Sequence, residues 1–234
     1  MSSWDFIAKL VCLGDSGTGK SSLTIRLCER RFSPQHDVTI GVEFCSRIIP
    51  VGPPHSLEPS SNQCTTYAAE QKFMKLSLWD TAGQETYKSV TRSYFRGASG
   101  ALLVFDITRR PSFLHVTDWL NDLRQIAEID IVVVLVGNKS DLVEGEEKKR
   151  EVTKEEAEEW SAKNGVLEYV ETSAKSGDGV ELAFARVAEK IYSNIEAGKY
   201  DLNDRRSGVK GPSARTTRSS VQLRPTAKGT ASCC

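Results

Sequence analysis

The chain has 234 residues, 39% of them hydrophobic and 26% charged, with 31 basic and 31 acidic side chains that cancel formally. That length suits one α/β domain with a full core and appendages rather than two domains, and no stretch approaches the roughly 20 apolar residues of a membrane span. The zero net charge hides an asymmetry, since residues 1–197 carry a net −6 and residues 198–234 a net +6, an acidic body with a basic tail. Met1 to Lys9 lack the basic start and long apolar run of a secretory signal, so a reducing cytosolic setting is expected. Cys12, Cys28, Cys45 and Cys64 show no CxxC spacing of a zinc site or redox pair, and the first three read as small buried hydrophobes.

Phe6–Leu13 is a short apolar run stopped by Gly14 and reads as a buried strand. After a glycine-rich turn, Leu23, Ile25, Leu27 and Cys28 predict a helix over Ser21–Arg31. Val42–Ile49 and Phe73–Trp79 read as a hairpin, the second strand alternating Met74, Leu76 and Leu78 against more polar positions. Between them Val51–Gln71, with Pro53, Pro54 and Pro59 and many small polar residues, reads as a disordered insertion. Ala101–Phe105, Ile131–Val136 and Val166–Val170 have the near-continuous branched composition of parallel strands. Helical spacing of Trp119, Leu120, Leu123 and Ile126, a Thr153/Glu156 capping box and an amphipathic Leu182–Ile195 supply the intervening helices. Strand and helix alternate, which predicts an α/β doubly wound sheet with helices on both faces. From Gly198 the chain loses apolar periodicity and is expected to be a disordered basic tether.

Gly14 to Ser21 (GDSGTGKS) satisfies GxxxxGK[ST] between the first strand and the first helix. The glycines let backbone N–H groups turn toward phosphate oxygens, the helix start aims its positive end there, Lys20 supplies a point charge, and Ser21 offers a hydroxyl to Mg²⁺. Asp80-Thr81-Ala82-Gly83-Gln84 follows a strand, where a carboxylate can face the metal and a glycine N–H the third phosphate. Asn138-Lys139-Ser140-Asp141 ends another strand, and the Asp141 carboxylate can accept two N–H bonds from a guanine edge, a donor pair that adenine lacks. Ser173-Ala174-Lys175 ends the last strand at the same edge.

These motifs in this order, with TIGVEF (Thr39–Phe44), WDTAGQE (Trp79–Glu85), RSYFRGA (Arg92–Ala98) and a terminal Cys-Cys, resemble the Ras superfamily of small GTPases and, more narrowly, the Rab (Ypt) family. The resemblance covers roughly residues 6–197 apart from the insertion. It implies a P-loop NTPase (Ras-like G domain) with a mostly parallel six-stranded sheet, binding GTP or GDP with Mg²⁺ and hydrolysing GTP to GDP and phosphate. It places nucleotide against Asp15, Ser16, Gly17, Thr18, Gly19, Lys20, Ser21 and Ser22, Phe32 on the guanine, and Thr39, Gly83, Asn138, Lys139, Asp141, Ser173, Ala174 and Lys175 around the rest. Ser21, Thr39 and Asp80 would serve the metal, Gln84 would orient the attacking water with Lys20 and Thr39 completing the catalytic set, and Phe44, Trp79 and Tyr94 would face effectors. Cys233 and Cys234 would carry two prenyl chains that anchor the protein to the cytosolic face of endomembranes, endosome or Golgi, beside a cytosolic pool. Expected partners are an exchange factor, a GTPase-activating protein, effectors, a GDP dissociation inhibitor and the prenylation escort machinery, with no nucleic acid.

The terminal Cys-Cys is not a CaaX box, so the lipid expectation rests on the family. No arginine of this chain is evidently placed to assist hydrolysis, so slow intrinsic turnover and strong stimulation by an arginine supplied in trans are expected. The family joins the two hairpin strands by a short turn. The added segment is either a tolerated surface loop or translated intron sequence. His36 and His115 suggest no catalysis, and Arg109-Arg110 and Lys148–Arg150 read as solvated faces. A P-loop kinase or ATPase shares the phosphate cradle, but NKSD opposes it; a nucleotide-locked scaffold is opposed by intact Lys20, Thr39 and Gln84.

Overall fold

The computed structural model describes residues 4–34, 38–53, 70–143, 149–204 and 208–211, and of Glu85 and Lys88 only the backbone. Six strands, β1 (Phe6–Leu13), β2 (Val42–Val51), β3 (Lys72–Thr81), β4 (Gly100–Asp106), β5 (Val132–Asn138) and β6 (Tyr169–Thr172), run in the spatial order β2-β3-β1-β4-β5-β6. All neighbours from β3 to β6 are parallel, and β2 is antiparallel to β3.

The period-2 geometry of a strand explains why these segments are apolar throughout: alternate side chains enter different layers. Ala8, Leu10, Cys12, Leu102, Val104, Val134 and Val136 pack beneath α1 (Lys20–Glu29) and α6 (Val180–Glu196) with Leu23, Leu27, Phe184, Val187 and Ile191. Val11, Leu13, Leu103, Phe105, Val133 and Leu135 enter the opposite layer, under α3 (Arg110–Leu114), α4 (Val116–Arg124) and α5 (Lys154–Lys163). The short α2 (Lys88–Ser93) follows a 3-10 turn at Glu85–Tyr87. Among the described residues no helix is long and apolar enough to cross a membrane.

The structure corrects four boundaries. Of Val51 and Gln71, expected at the edges of the disordered insertion, Val51 is the last residue of β2 and Gln71, just before β3, is tied to it. Val51 pairs with Lys72, the Gln71 amide donates to the Val51 carbonyl at 3.0 Å, and the Gly52 N–H reaches the Glu189 carboxylate of α6 at 3.2 Å. Residues 54–69 lie outside the described residues. The sixth strand begins later than Val166, because Val166 is drawn into the core beneath α5 and its N–H closes the end of that helix on the Ser161 carbonyl at 3.0 Å.

The capping box is half made. The Thr153 hydroxyl accepts the Glu156 N–H at 3.2 Å, while the Glu156 carboxylate turns to Arg110 at 2.8 Å and ties α5 to α3.

The fourth correction concerns the tail, expected to be disordered from 198. Val209–Lys210 form a seventh strand, β7, antiparallel to β1, with Ala8 opposite Val209 and Val209 fully buried. β4 joins β1 only from Leu10 onward, so the earlier backbone of β1 needs other partners. Lys9 donates its N–H to the Gly208 carbonyl at 2.8 Å. Two residues of strand inside a basic stretch leave no periodic signal to read.

Candidate functional site

Parallel pairing brings the carboxyl ends of β1, β3, β4, β5 and β6 to one edge, and the GDSGTGKS, DTAGQ, NKSD and SAK motifs sit at the ends of β1, β3, β5 and β6. After β1, Gly14 has φ 139°, and a Cβ there would sit 2.0 Å from the Val104 carbonyl oxygen. Gly19 has φ 95° and would meet the Asn138 amide at 2.2 Å. Only glycine fits these positions. α1 starts at Gly19 with no side-chain cap and no acidic residue in its first turn, which leaves its positive end for an anionic ligand. Lys20 is 5% exposed, and its ammonium donates to the Gly14 and Asp15 carbonyls, each at 2.8 Å. Burial lowers its pKa, and the nearby negative charge of Asp80, itself 1% exposed, pulls the other way.

Gly83 packs against this loop, its carbonyl accepting the Ser16 N–H at 3.1 Å. A side chain at Gly83 would collide with the Lys20 ammonium and the Ser16 nitrogen, both 2.5 Å from its Cβ. The Ser21 and Thr39 hydroxyls meet at 2.7 Å, a pair of hard oxygen donors that suits Mg²⁺ bound through hydroxyls, phosphate and water, while the buried Asp80 is close enough to Lys20, the neighbour of Ser21, to act on its charge. Among the described residues no cluster of three or more His, Cys, Asp or Glu offers a rival metal site.

On the opposite side Asn138 acts as a staple. Its amide donates to the Thr18 carbonyl at 2.8 Å, and its oxygen accepts from the Thr172 hydroxyl and the Ala174 N–H, both at 3.2 Å. The Ser173 hydroxyl donates to one Asp141 oxygen at 2.7 Å, and the Lys175 ammonium lies 3.8 Å from the other. Lys139 adopts a left-handed φ of 72° and points its ammonium to Asp106 at 2.7 Å. Burial pushes the Asp106 carboxyl up, but hydrogen bonds from Lys139 and Thr108 outweigh it and hold the group below the usual carboxylate range.

Together these segments enclose a cleft of about 460 Å³, a volume suited to a small organic ligand. Ser16, Gly17, Gly19, Lys20, Ser21, Ser22, Phe32, Thr39, Gly83, Asn138, Lys139, Asp141, Ala174 and Lys175 all line it. Thr18, Asp80 and Ser173 are buried behind the wall. Gln84, half-buried, stands one residue beyond Gly83 at the turn toward α2 and does not line the cleft. The Asp15 carboxylate turns away from it, accepting from the Trp119 indole at 3.0 Å and meeting His115 Nδ1 at 2.7 Å.

Phe44, Trp79 and Tyr94 form a continuous aromatic row outside the cleft, with ring centroids 5.3 and 5.2 Å apart and Phe44 59% exposed. His36, Cys64, Cys233 and Cys234 lie outside the described residues.

The sequence reading missed four groups. Arg26 of α1 donates to the Ala174 carbonyl at 2.8 Å and to the Lys175 carbonyl, clamping that loop. Asp106 orients Lys139. His115, read only as non-catalytic, holds Asp15. Arg109, read as a solvated face, donates to the Ser16 carbonyl at 2.8 Å and lies close enough to Lys20 for its charge to depress that ammonium further. An arginine of this chain therefore does stand at the phosphate loop. Only Asp106 carried a usable signal, an acidic residue ending a strand at the ligand edge. The chain matches the family model described as the Ras family over residues 9–193.

Proposed function

Because the chain belongs to the Ras family and is thus a small GTPase, a guanine-nucleotide-binding switch that hydrolyses GTP, we propose that it acts as a Rab-type regulator of vesicle traffic on endomembranes. Ras-family GTPases work with exchange factors, activating proteins and effectors. The observation that carries the narrower reading is the aromatic row Phe44–Trp79–Tyr94. Its members come from the TIGVEF, WDTAGQE and RSYFRGA stretches, and they meet in one partly exposed row, with Phe44 on the strand that follows Thr39 and Trp79 on the strand that leads to Gly83, the residues that would sense the third phosphate. A partner on that row would read the nucleotide state directly.

The proposed chemistry is positioning and charge neutralisation. Lys20 and the N–H groups at the start of α1 hold the phosphates. Asp141 selects guanine while Ser173 fixes its rotamer, and Phe32 packs on the base. Ser21 and Thr39, with Asp80 behind them, would hold Mg²⁺, which when bound neutralises charge between the outer phosphates. Gln84 aligns water for in-line attack. We assign slow intrinsic hydrolysis to the lone chain and strong acceleration to an activating protein.

Loss of the third phosphate frees Thr39 and Gly83 and dissolves the partner surface. The basic tail reaches an anionic membrane, each Lys or Arg near it contributing about 1 kcal/mol. Prenyl chains on Cys233 and Cys234 supply the second signal that stable anchoring requires. A dissociation inhibitor then extracts the GDP form, and the escort machinery delivers the chain for prenylation.

Gln84→Leu is expected to bind nucleotide normally and to resist an activating protein while remaining on endosomal or Golgi membranes. The joint Cys233→Ser, Cys234→Ser variant is expected in the cytosol. Imaging of both, with GTP turnover of the first, tests the reading. A stimulated Gln84→Leu, or a membrane-bound double serine variant, overturns the corresponding assignment.

A further inference from the structure

We propose that Cys28 and Cys45 are a peroxide-oxidisable dithiol, whose disulfide would close the segment carrying Phe32 and Thr39 into a covalent loop. The two cysteines are 17 positions apart and show no motif spacing, yet α1 and β2 bring their sulfurs to 2.7 Å. Both are free thiols and half-buried, at the edge of the core rather than inside it. A bond needs about 2.05 Å, so a shift of under ~1 Å between a helix end and a strand completes it.

The pair is chemically unequal. The hydrogen bond from the Cys45 thiol, helped by the positive charge of Arg47, lowers the pKa of Cys28, while the same bond and burial raise that of Cys45. Cys28 is therefore the more readily ionised of the two and takes the part of the attacking sulfur, with Cys45 the resolving one. Cys12 is the internal contrast: it is fully buried, and burial pushes its thiol up to about 12.

With a hydroperoxide as oxidant the steps balance. The Cys28 thiolate attacks one peroxide oxygen, an S–O bond forms, the O–O bond breaks and hydroxide leaves. The Cys45 sulfur then attacks the sulfenic sulfur of Cys28. The S–S bond forms, the S–O bond breaks, and water leaves with the Cys45 proton. The two thiols lose two electrons and the peroxide gains them.

The loop so closed spans the residues between α1 and β2, including Thr39, which contacts Ser21. Tying its two roots together would restrict how far the Phe32 end of the segment, which lines the cleft, can open, and would slow nucleotide release. The inference rests on the α1–β2 geometry and is independent of any role in traffic.

The test treats the GDP-bound full chain with hydrogen peroxide and reads intact mass and linked peptides. The expected result is a loss of about 2 Da, a Cys28–Cys45 linked peptide, Cys12 still reduced, and slower GDP release that dithiothreitol restores. Cys45→Ser should stop at a dimedone-reactive sulfenic acid on Cys28, and Cys28→Ser should not react in this region. Linkage found only through Cys64, Cys233 or Cys234, or no linkage while a surface-exposed thiol oxidises, overturns the dithiol. Linkage with unchanged GDP release overturns its coupling to the Thr39 segment.

Discussion

On the β5–β6 side of the cleft, Asn138 makes three side-chain hydrogen bonds to two other segments, Ser173 holds Asp141, and Arg26 clamps the Ala174–Lys175 loop from α1. On the other side, among the described residues, Thr39 meets the phosphate-loop helix through one hydroxyl pair with Ser21, and Gly83 meets the phosphate loop through one backbone bond to Ser16. The base-reading wall is thus assembled by the protein itself, whereas the phosphate-sensing wall is lightly held. A ligand can reorganise only what the protein has not already fixed. In a guanine-nucleotide switch such an asymmetry would keep the grip on guanine constant and leave the outer surface to respond to the third phosphate.

The comparison breaks most severely at Asn138. Asn138→Ala leaves the Thr18 carbonyl, the Thr172 hydroxyl and the Ala174 N–H without their partner in a buried place, a loss of about 3 kcal/mol. It is expected to lower affinity for GDP and GTP alike by more than about 100-fold, measured by nucleotide dissociation kinetics. Thr39→Ala sharpens it from the other side: GTP should dissociate about tenfold faster, roughly 1.4 kcal/mol, with GDP release unchanged within about twofold. Equal losses for both nucleotides would show that the two walls are not independent.

The Asp106–Lys139 pair offers a pH test of the preassembled wall. The folded-state pKa of Asp106 is depressed, so its stabilising contribution is present above the unfolded carboxylate range and is lost as pH falls through the folded value. Lys139→Met should therefore cost about 1 kcal/mol at neutral pH, with the difference in Tm between variant and wild type narrowing as the solution is taken below pH ~4.

The smallest expected effect belongs to Arg109, whose guanidinium sits on Ser16. Arg109→Gln keeps a donor and removes the charge, and single-turnover GTP hydrolysis without an activating protein should slow about threefold, roughly 0.7 kcal/mol. Arg109→Lys, which keeps the charge, should recover most of the rate.

The phosphate loop, Asp80, Gly83, Asn138, Asp141 and the Ala174 loop were legible because each combines a turn-forming residue with a chemistry-bearing one directly after an apolar strand. The doubly wound sheet was legible because strands buried on both faces are apolar throughout, and the acidic body and basic tail could be counted. Other features depend on pairs far apart in the chain that no local pattern encodes. Val209 becomes buried only because β4 leaves the first part of β1 uncovered. Asp15 turns from the cleft because Trp119 of α4 and His115, just before that helix, come within reach. Glu156 leaves its capping box because Arg110 comes within reach. Cys28 and Cys45, which no spacing rule would join, meet because a helix end packs over an edge strand. The sequence by itself determined the nucleotide chemistry, since that chemistry is written in contiguous motifs shaped by backbone geometry. The tertiary structure alone decided which distant side chains restrain those motifs, because such contacts arise from the packing of elements and not from neighbours in the chain.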